Sequence, residues 1–155
     1  MNFKIAGLAP IAFRHVFGLS DHELASHHVI RCRVDAENAF PCRITLEDAA
    51  MGDSVLLMSY EHQPVKNAYQ SRHAIYVNEA ATDAGVFVNE IPAQMQRRLL
   101  SIRAFDAQDA IIDADVVDGS DAKTLIQRFL SMQETAYLHV HFARRGCFAA
   151  RVDRN

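Results

Sequence analysis

The pattern of apolar and polar positions predicts a chain built mostly of short strands. Apolar residues alternate with arginines in residues 29–34, as in a strand with one buried face. Residues 54–62 begin with an unbroken apolar run, which is typical of a central strand covered on both faces. Further short strands are expected at residues 3–8 and 86–88, and the polar stretch 63–71 predicts a surface loop.

Helix signals are fewer than strand signals. A serine–glutamate capping box predicts a short helix over residues 21–27. A similar threonine–aspartate spacing predicts one helical turn over residues 45–49. One longer amphipathic helix is expected near residues 120–132, where apolar residues recur with helical spacing behind Ser120 as a candidate N-cap.

A first hairpin is expected over residues 99–119. A loop of odd length would set Ile102 opposite Ala114 and Leu100 opposite Val116, which keeps one face of the hairpin apolar. Since a slip of one residue would exchange the two faces of a strand, we expect this register.

A second hairpin is expected at the end of the chain. A five-residue loop over residues 143–147 would set Phe142 opposite Phe148 and Val140 opposite Ala150, so that one face is wholly apolar. That face should contribute to the core.

The other face of the last hairpin should be polar. It would carry Tyr137, His139 and His141, with His139 opposite Arg151. Ala149, which is small, would lie opposite His141 and leave space above its ring. We therefore expect a site, if the chain has one, on this face.

Many strands with few helices between them predict an α+β fold with a largely antiparallel sheet. Residues 1–155 should form a single domain without a linker, and the apolar and charged fractions are those of an ordinary soluble protein. A net charge of -3 argues against nucleic-acid binding, and no apolar run is long enough to span a membrane. The cysteines, Cys32, Cys42 and Cys147, show no CxxC pair, so reduced thiols and a cytoplasmic location are expected.

The leading functional hypothesis is a small-molecule ligand or a divalent metal, such as zinc, bound on the polar face of the last hairpin. His139 and His141 are the candidate metal ligands, although a metal site needs a third one. Two arginines and a glycine in the turn after His141 could bind a carboxylate or phosphate. The candidate ligand-binding residues are Tyr137, His139, His141, Arg103, Arg144 and Arg151.

Three alternatives remain open. The histidines could be hydrated or packed side chains without a ligand. The domain could be a non-catalytic interaction module that forms a homodimer through a sheet face or edge. It could also be a cysteine-dependent enzyme that uses Cys147 or Cys42, because arginines follow one cysteine and precede the other.

Four blocks along the chain, in order, carry a family resemblance: FPCRITLEDA, LLMSYEHQP, RRLLSIRAFDAQDAIIDADVVDG and AYLHVHFARRGCFAARVDR. Together they resemble the bacterial domain-of-unknown-function family 1203. The resemblance implies a small, single-domain bacterial protein, and it implies no activity, cofactor or catalytic residue.

Overall fold

The computed structural model describes all 155 residues, Met1–Asn155. The nine strands are β1 (Phe3–Ala6), β2 (Ile30–Arg33), β3 (Ser54–Gln63), β4 (Ser71–Asn78), β5 (Val86–Val88), β6 (Leu99–Phe105), β7 (Ile111–Asp118), β8 (Tyr137–Phe142) and β9 (Phe148–Arg154). The three α-helices are α1 (Asp21–Ser26), α2 (Ala93–Gln96) and α3 (Ala122–Ser131), and 3-10 turns lie at Pro10–Ala12 and Gly119–Asp121.

The strands form two sheets. Six strands make the larger sheet in the order β5-β1-β9-β8-β6-β7, and the smaller sheet has the order β2-β3-β4. Every pair of neighbouring strands is antiparallel. The fold is therefore α+β with antiparallel sheets and few short helices, as predicted. None of its helices combines the length and apolar character needed to cross a bilayer.

The larger core lies between the six-stranded sheet and α3. Apolar side chains of α3, among them Ile126, Phe129 and Leu130, pack against the face of the sheet that carries Ile102 and Val140. This packing confirms the predicted amphipathic helix. Its N-cap was predicted wrongly: Ser120 lies inside the preceding 3-10 turn, and no side chain caps the helix.

Two other local predictions differ in outcome. The capping box of α1 is present, since the Ser20 hydroxyl accepts a hydrogen bond from the Glu23 amide and the Glu23 carboxylate accepts one from Ser20. The helical turn at residues 45–49 is wrong. Leu46 adopts a φ of 60°, and the segment folds back on the residues just before it: the amides of Leu46 and Ala49 donate to the carbonyls of Cys42 and Phe40, and the amide of Cys42 donates to the carbonyl of Glu47. A turn closed by residues 40–42 therefore replaces the helical turn that the capping signal predicts.

The smaller sheet is partly as expected. β3 is its central strand, as predicted, and its consecutive residues Val55 and Leu56 are both buried. The expected buried face of β2 is wrong, because Ile30 is exposed and Cys32 is half-buried. β2 is an edge strand, so the alternation of its residues does not reflect a covered face.

The register of the β6–β7 hairpin is shifted by one residue from the prediction. Phe105 pairs with Ile111 across a loop of odd length, but a bulge follows and sets Ile102 opposite Asp115. The side chain of Asp115 reaches Arg128 of α3, and Val116 is left exposed. Because β7 is an edge strand only partly covered by α3, a carboxylate is tolerated where an apolar residue was expected.

The β8–β9 hairpin has the expected five-residue loop over residues 143–147, and Val140 pairs with Ala150. A bulge next to the loop then sets His141 opposite Phe148 instead of Ala149. The predicted pairing of Phe142 with Phe148 is therefore wrong. The bulge rotates Phe148 out of the apolar face and towards the histidines, because one extra residue exchanges the two faces.

Candidate functional site

The polar face of β8 is covered by the smaller sheet. The Gln63 amide of β3 donates a hydrogen bond of 2.8 Å to the Tyr137 hydroxyl of β8, which in turn donates one of 2.7 Å to Asp109. As a result, His139 and His141 are both buried. The face that the sequence predicts to be polar lies between two sheets.

Three histidines and a phenylalanine meet between the sheets. The ring centroid of His62, from β3, lies 5.0 Å from that of His141 and 6.1 Å from that of His139. Phe148 stacks on His62 at 5.2 Å and meets the edges of the other two rings. Phe148 thus occupies the space that was expected above His141.

Burial keeps these histidines uncharged at neutral pH. Together with nearby positive groups such as Arg103, burial lowers the pKa of His139 and of His141 to about 3 and that of His62 to about 4. Nδ1 of His141 lies 2.9 Å from the carbonyl oxygen of Gly146, so this nitrogen must carry the proton and donate. Nε2 of His141 then holds a free lone pair, and it has no hydrogen-bond partner.

The metal hypothesis stays a prediction. Three ring nitrogens in this cluster are buried without a partner: Nδ1 of His62, Nδ1 of His139 and Nε2 of His141. Nowhere in the chain do three or more histidine, cysteine, aspartate or glutamate side chains come together in a way that could hold one metal ion.

A cavity of about 460 Å³ opens beside the histidine cluster, at the end of β8. Five arginines reach it from three segments: Arg43, Arg97, Arg98, Arg144 and Arg145. Its apolar wall includes Leu57, Tyr76, Leu99 and Phe142, and Cys147 and His73 also line it. A cavity of this size, with apolar walls and a few convergent charged groups, has the features of a small-molecule site.

Arg43 is the deepest of these arginines, with only 1% of its surface exposed. Its guanidinium donates to the carbonyl oxygens of Pro41 and Phe148 and to Sγ of Cys147 at 3.1 Å, and it lies over the Phe142 ring. No carboxylate pairs with it. Burial lowers the pKa of Arg43 to about 10, so the group still carries its charge at neutral pH.

Of the other four arginines, only two pair with a carboxylate, and they share the same one. Asp48, which is almost fully buried, accepts hydrogen bonds from Arg97 at 3.0 Å and from Arg98 at 2.6 Å. Arg144 and Arg145 are exposed and form no ion pair. The cavity therefore has a marked excess of positive charge in a protein whose net charge is negative.

Two glycines allow other parts of the backbone to pack closely against the segment that carries Arg43. The amide of Leu8 donates to the carbonyl of Arg43, and the amide of Gly85 donates to the carbonyl of Ile44, each at 2.8 Å. A Cβ atom on Gly7 would lie 1.8 Å from the carbonyl oxygen of Ile44, and one on Gly85 would lie 2.1 Å from that of Thr45. Only glycine allows this close approach of three backbone segments.

The residues predicted to bind a ligand separate into two groups. Arg144 lines the cavity, as the anion hypothesis expects. Arg103 pairs with His139 across β6 and β8 beside the histidine cluster, and Arg151 lies over the Tyr137 ring, 3.9 Å from its centroid. These two arginines do not line the cavity.

Sequence reasoning missed most of the cavity. Arg43, Arg97 and Arg98 were not among the candidate ligand-binding residues, whereas the arginine pair at 144–145 was already a candidate for binding an anion. Their convergence depends on tertiary structure, because α2, the turn after β8 and the segment before residue 44 are far apart in sequence.

A protein-family model described as "Protein of unknown function (DUF1203)" matches residues 39–154. The matched range includes all five arginines of the cavity and Cys147. Neither the curated proteins nor the solved structures contain a match to this chain.

Proposed function

The chain belongs to the DUF1203 family, and from the cavity we propose that this protein binds a small organic anion, a carboxylate or a phosphate ester with an apolar body. The observation that carries the proposal is the convergence of five arginines on a cavity of about 460 Å³, with a single carboxylate, that of Asp48, paired with two of them. A guanidinium matches the geometry of carboxylate and phosphate oxygens and can bind two of them at once.

The buried position of Arg43 supports this chemistry. A buried charge without a counter-ion is costly, and an anion entering the cavity would supply the missing charge. The apolar wall, formed by side chains such as Tyr76, Leu57 and Phe142, would contact the body of the ligand. Arg144 and Arg145 at the exposed end would attract the anion from solvent.

Isothermal titration calorimetry with phenyl phosphate tests the proposal. The wild-type protein should bind phenyl phosphate and should not bind phenol, which has the same ring without the charge. Arg144→Gln/Arg145→Gln should weaken binding about tenfold, because two charged contacts are lost at an exposed site. Both arginines are exposed, so this variant should fold normally.

The matched control is Arg14→Gln/Arg128→Gln, which removes the same charge at exposed positions outside the cavity. Its affinity for phenyl phosphate should be that of the wild type. Equal affinity in both double variants, or no binding to the wild type, would contradict the proposal.

A cytoplasmic location and a bacterial source belong to the same proposal. All three cysteines are free thiols, which supports a reducing compartment. The alternative function is a homodimeric interaction module, and a monomeric mass in solution at micromolar concentration would contradict it.

A further inference from the structure

We infer that Cys147 is the nucleophile of the arginine-lined cavity and reacts with small anionic electrophiles that the arginines hold. This inference rests on the proposed anion site and adds a chemical activity to it. Cys147 lines the cavity, and its Sγ accepts a hydrogen bond from Nη2 of Arg43 at 3.1 Å. Cys147, which is 7% exposed, therefore contributes to the wall of the cavity in which the arginines would hold a ligand.

Arg43 places a fixed positive charge against the sulfur of Cys147. Its other hydrogen-bond acceptors are two backbone carbonyl oxygens, so Cys147 is the one side chain among its partners that can become an anion. A fixed guanidinium stabilises negative charge on sulfur, and thiolate sulfur is the form of cysteine that attacks carbon. Because Arg43 is held by the protein before reaction, this stabilisation needs no rearrangement.

The other two cysteines lack this arrangement. Sγ of Cys42 accepts from the backbone amides of Ile44 and Asn78, and Cys42 does not line the cavity. Cys32 is half-buried on the edge strand β2, where burial raises the pKa of its thiol. Cys32 is thus an internal reference for a thiol that solvent reaches but no arginine cavity surrounds.

Alkylation by iodoacetate and by iodoacetamide distinguishes a thiol in the arginine-lined cavity, Cys147, from a thiol outside it, Cys32. In both reactions the sulfur forms a bond to the CH2 carbon, the carbon–iodine bond breaks, iodide leaves with the electron pair, and the thiol proton passes to water. The two reagents have similar size, and only iodoacetate carries a carboxylate. A cavity that concentrates anions should therefore favour iodoacetate, whereas an isolated thiol should not.

The experiment measures the alkylation rates of each cysteine in the folded protein by mass spectrometry of its peptides. The ratio of the iodoacetate rate to the iodoacetamide rate should be at least ~10-fold higher at Cys147 than at Cys32. Phenyl phosphate should slow the reaction of Cys147 alone. Arg144→Gln/Arg145→Gln should lower the ratio at Cys147, and Arg14→Gln/Arg128→Gln should leave it unchanged.

Two results would overturn the inference. If phenyl phosphate binds but Cys147 shows no preference for iodoacetate over Cys32, or is not alkylated at all, the anion site stands and its nucleophile does not. If phenyl phosphate does not bind and the preference is also absent, the proposed function fails together with the inference.

Discussion

Several side chains between the two sheets are polar groups that water usually solvates. His139 and His141 are buried, and each has a ring nitrogen without a partner. Such groups are stable there only in the neutral form, because burial penalises the charged imidazolium. Phe148 contacts all three histidine rings and excludes water from them. The cluster should therefore respond to acid.

Acid should destabilise the fold through these histidines. Their pKa lies near 6.5 in the unfolded chain and near 3 in the fold for His139 and His141, so the unfolded state binds more protons below pH 6.5. The stability that the neutral histidines contribute is fully present above pH 6.5 and is lost as the pH falls towards 3. Each of these two histidines should lower the free energy of unfolding by about 2 kcal/mol between pH 6.5 and 5.

Urea unfolding at several pH values measures this effect. His139→Gln should reduce the dependence of the unfolding free energy on pH, since one titrating group is removed. His22→Asn, a change at an exposed histidine, should leave that dependence unaltered. The carboxyl groups with a lowered pKa, Glu23 and Glu79, titrate below pH 4.5 and do not mask the result. A wild-type stability that is constant from pH 6.5 to 5 would show that the histidines are not buried as described.

Individual elements show how far sequence patterns reach. The odd loop of the β6–β7 hairpin and the five-residue loop of the β8–β9 hairpin were predictable, because apolar faces limit the register. The bulges beside both loops were not predictable. A bulge adds one unpaired residue to a strand. The alternation of apolar and polar residues before the bulge does not reveal where this residue is added. It was the second bulge that turned Phe148 towards the histidines.

The segment around Arg43 depends on elements distant in sequence. Gly7 follows β1 and Gly85 precedes β5, and the backbone at residues 43–45 lies against both glycines. Capping residues predict a helical turn nearby, whereas the backbone of Arg43 and Ile44 is hydrogen-bonded to residues distant in sequence, namely Leu8, Tyr76 and Gly85. These contacts place the guanidinium of Arg43 at the cavity.

Gly7→Ala should destabilise the protein and disturb the cavity. The added Cβ would lie 1.8 Å from the carbonyl oxygen of Ile44, so one of the backbone segments must move. We expect a loss of about 2 kcal/mol or more in the free energy of unfolding, together with weaker binding of phenyl phosphate.

Gly18→Ala is the matched control for that variant. Gly18 has a φ of 74° and no neighbouring atom within 4 Å of an added Cβ, so only backbone strain is expected. Its cost should be about 1 kcal/mol, and the affinity for phenyl phosphate should not change. If Gly7→Ala is no more destabilising than Gly18→Ala in urea unfolding, the close approach of the segments is not a structural requirement.

The whole molecule is a six-stranded sheet covered by α3 on one face and by the smaller sheet on part of the other. Sequence patterns predicted the fold class, the amphipathic helix and the polar character of the β8 face. They did not predict that a second sheet covers this face, since alternating polar residues look the same against water and against another polar layer. The arginine-lined cavity lies between β4 of the smaller sheet and the end of β8.

The distribution of charge over the molecule follows from this arrangement. Net charge is negative, yet five arginines converge on one cavity while a single carboxylate pairs with two of them. The positive potential in the cavity attracts anions, although the surface of the protein as a whole is not basic. Composition alone could not show it, because the contributing segments meet only in the folded chain.

The most direct test of the anion site is to map phenyl phosphate onto the folded protein by the shifts of its backbone amide resonances. Saturable shifts should be concentrated at the cavity, at residues such as Arg98, Phe142, Arg145 and Cys147. Amides of the distant groove between β7 and α3, such as those of Val116 and Thr124, should not shift. Shifts centred on that groove, or no saturable shifts at the cavity, would contradict the claim that this protein binds an organic anion among its arginines.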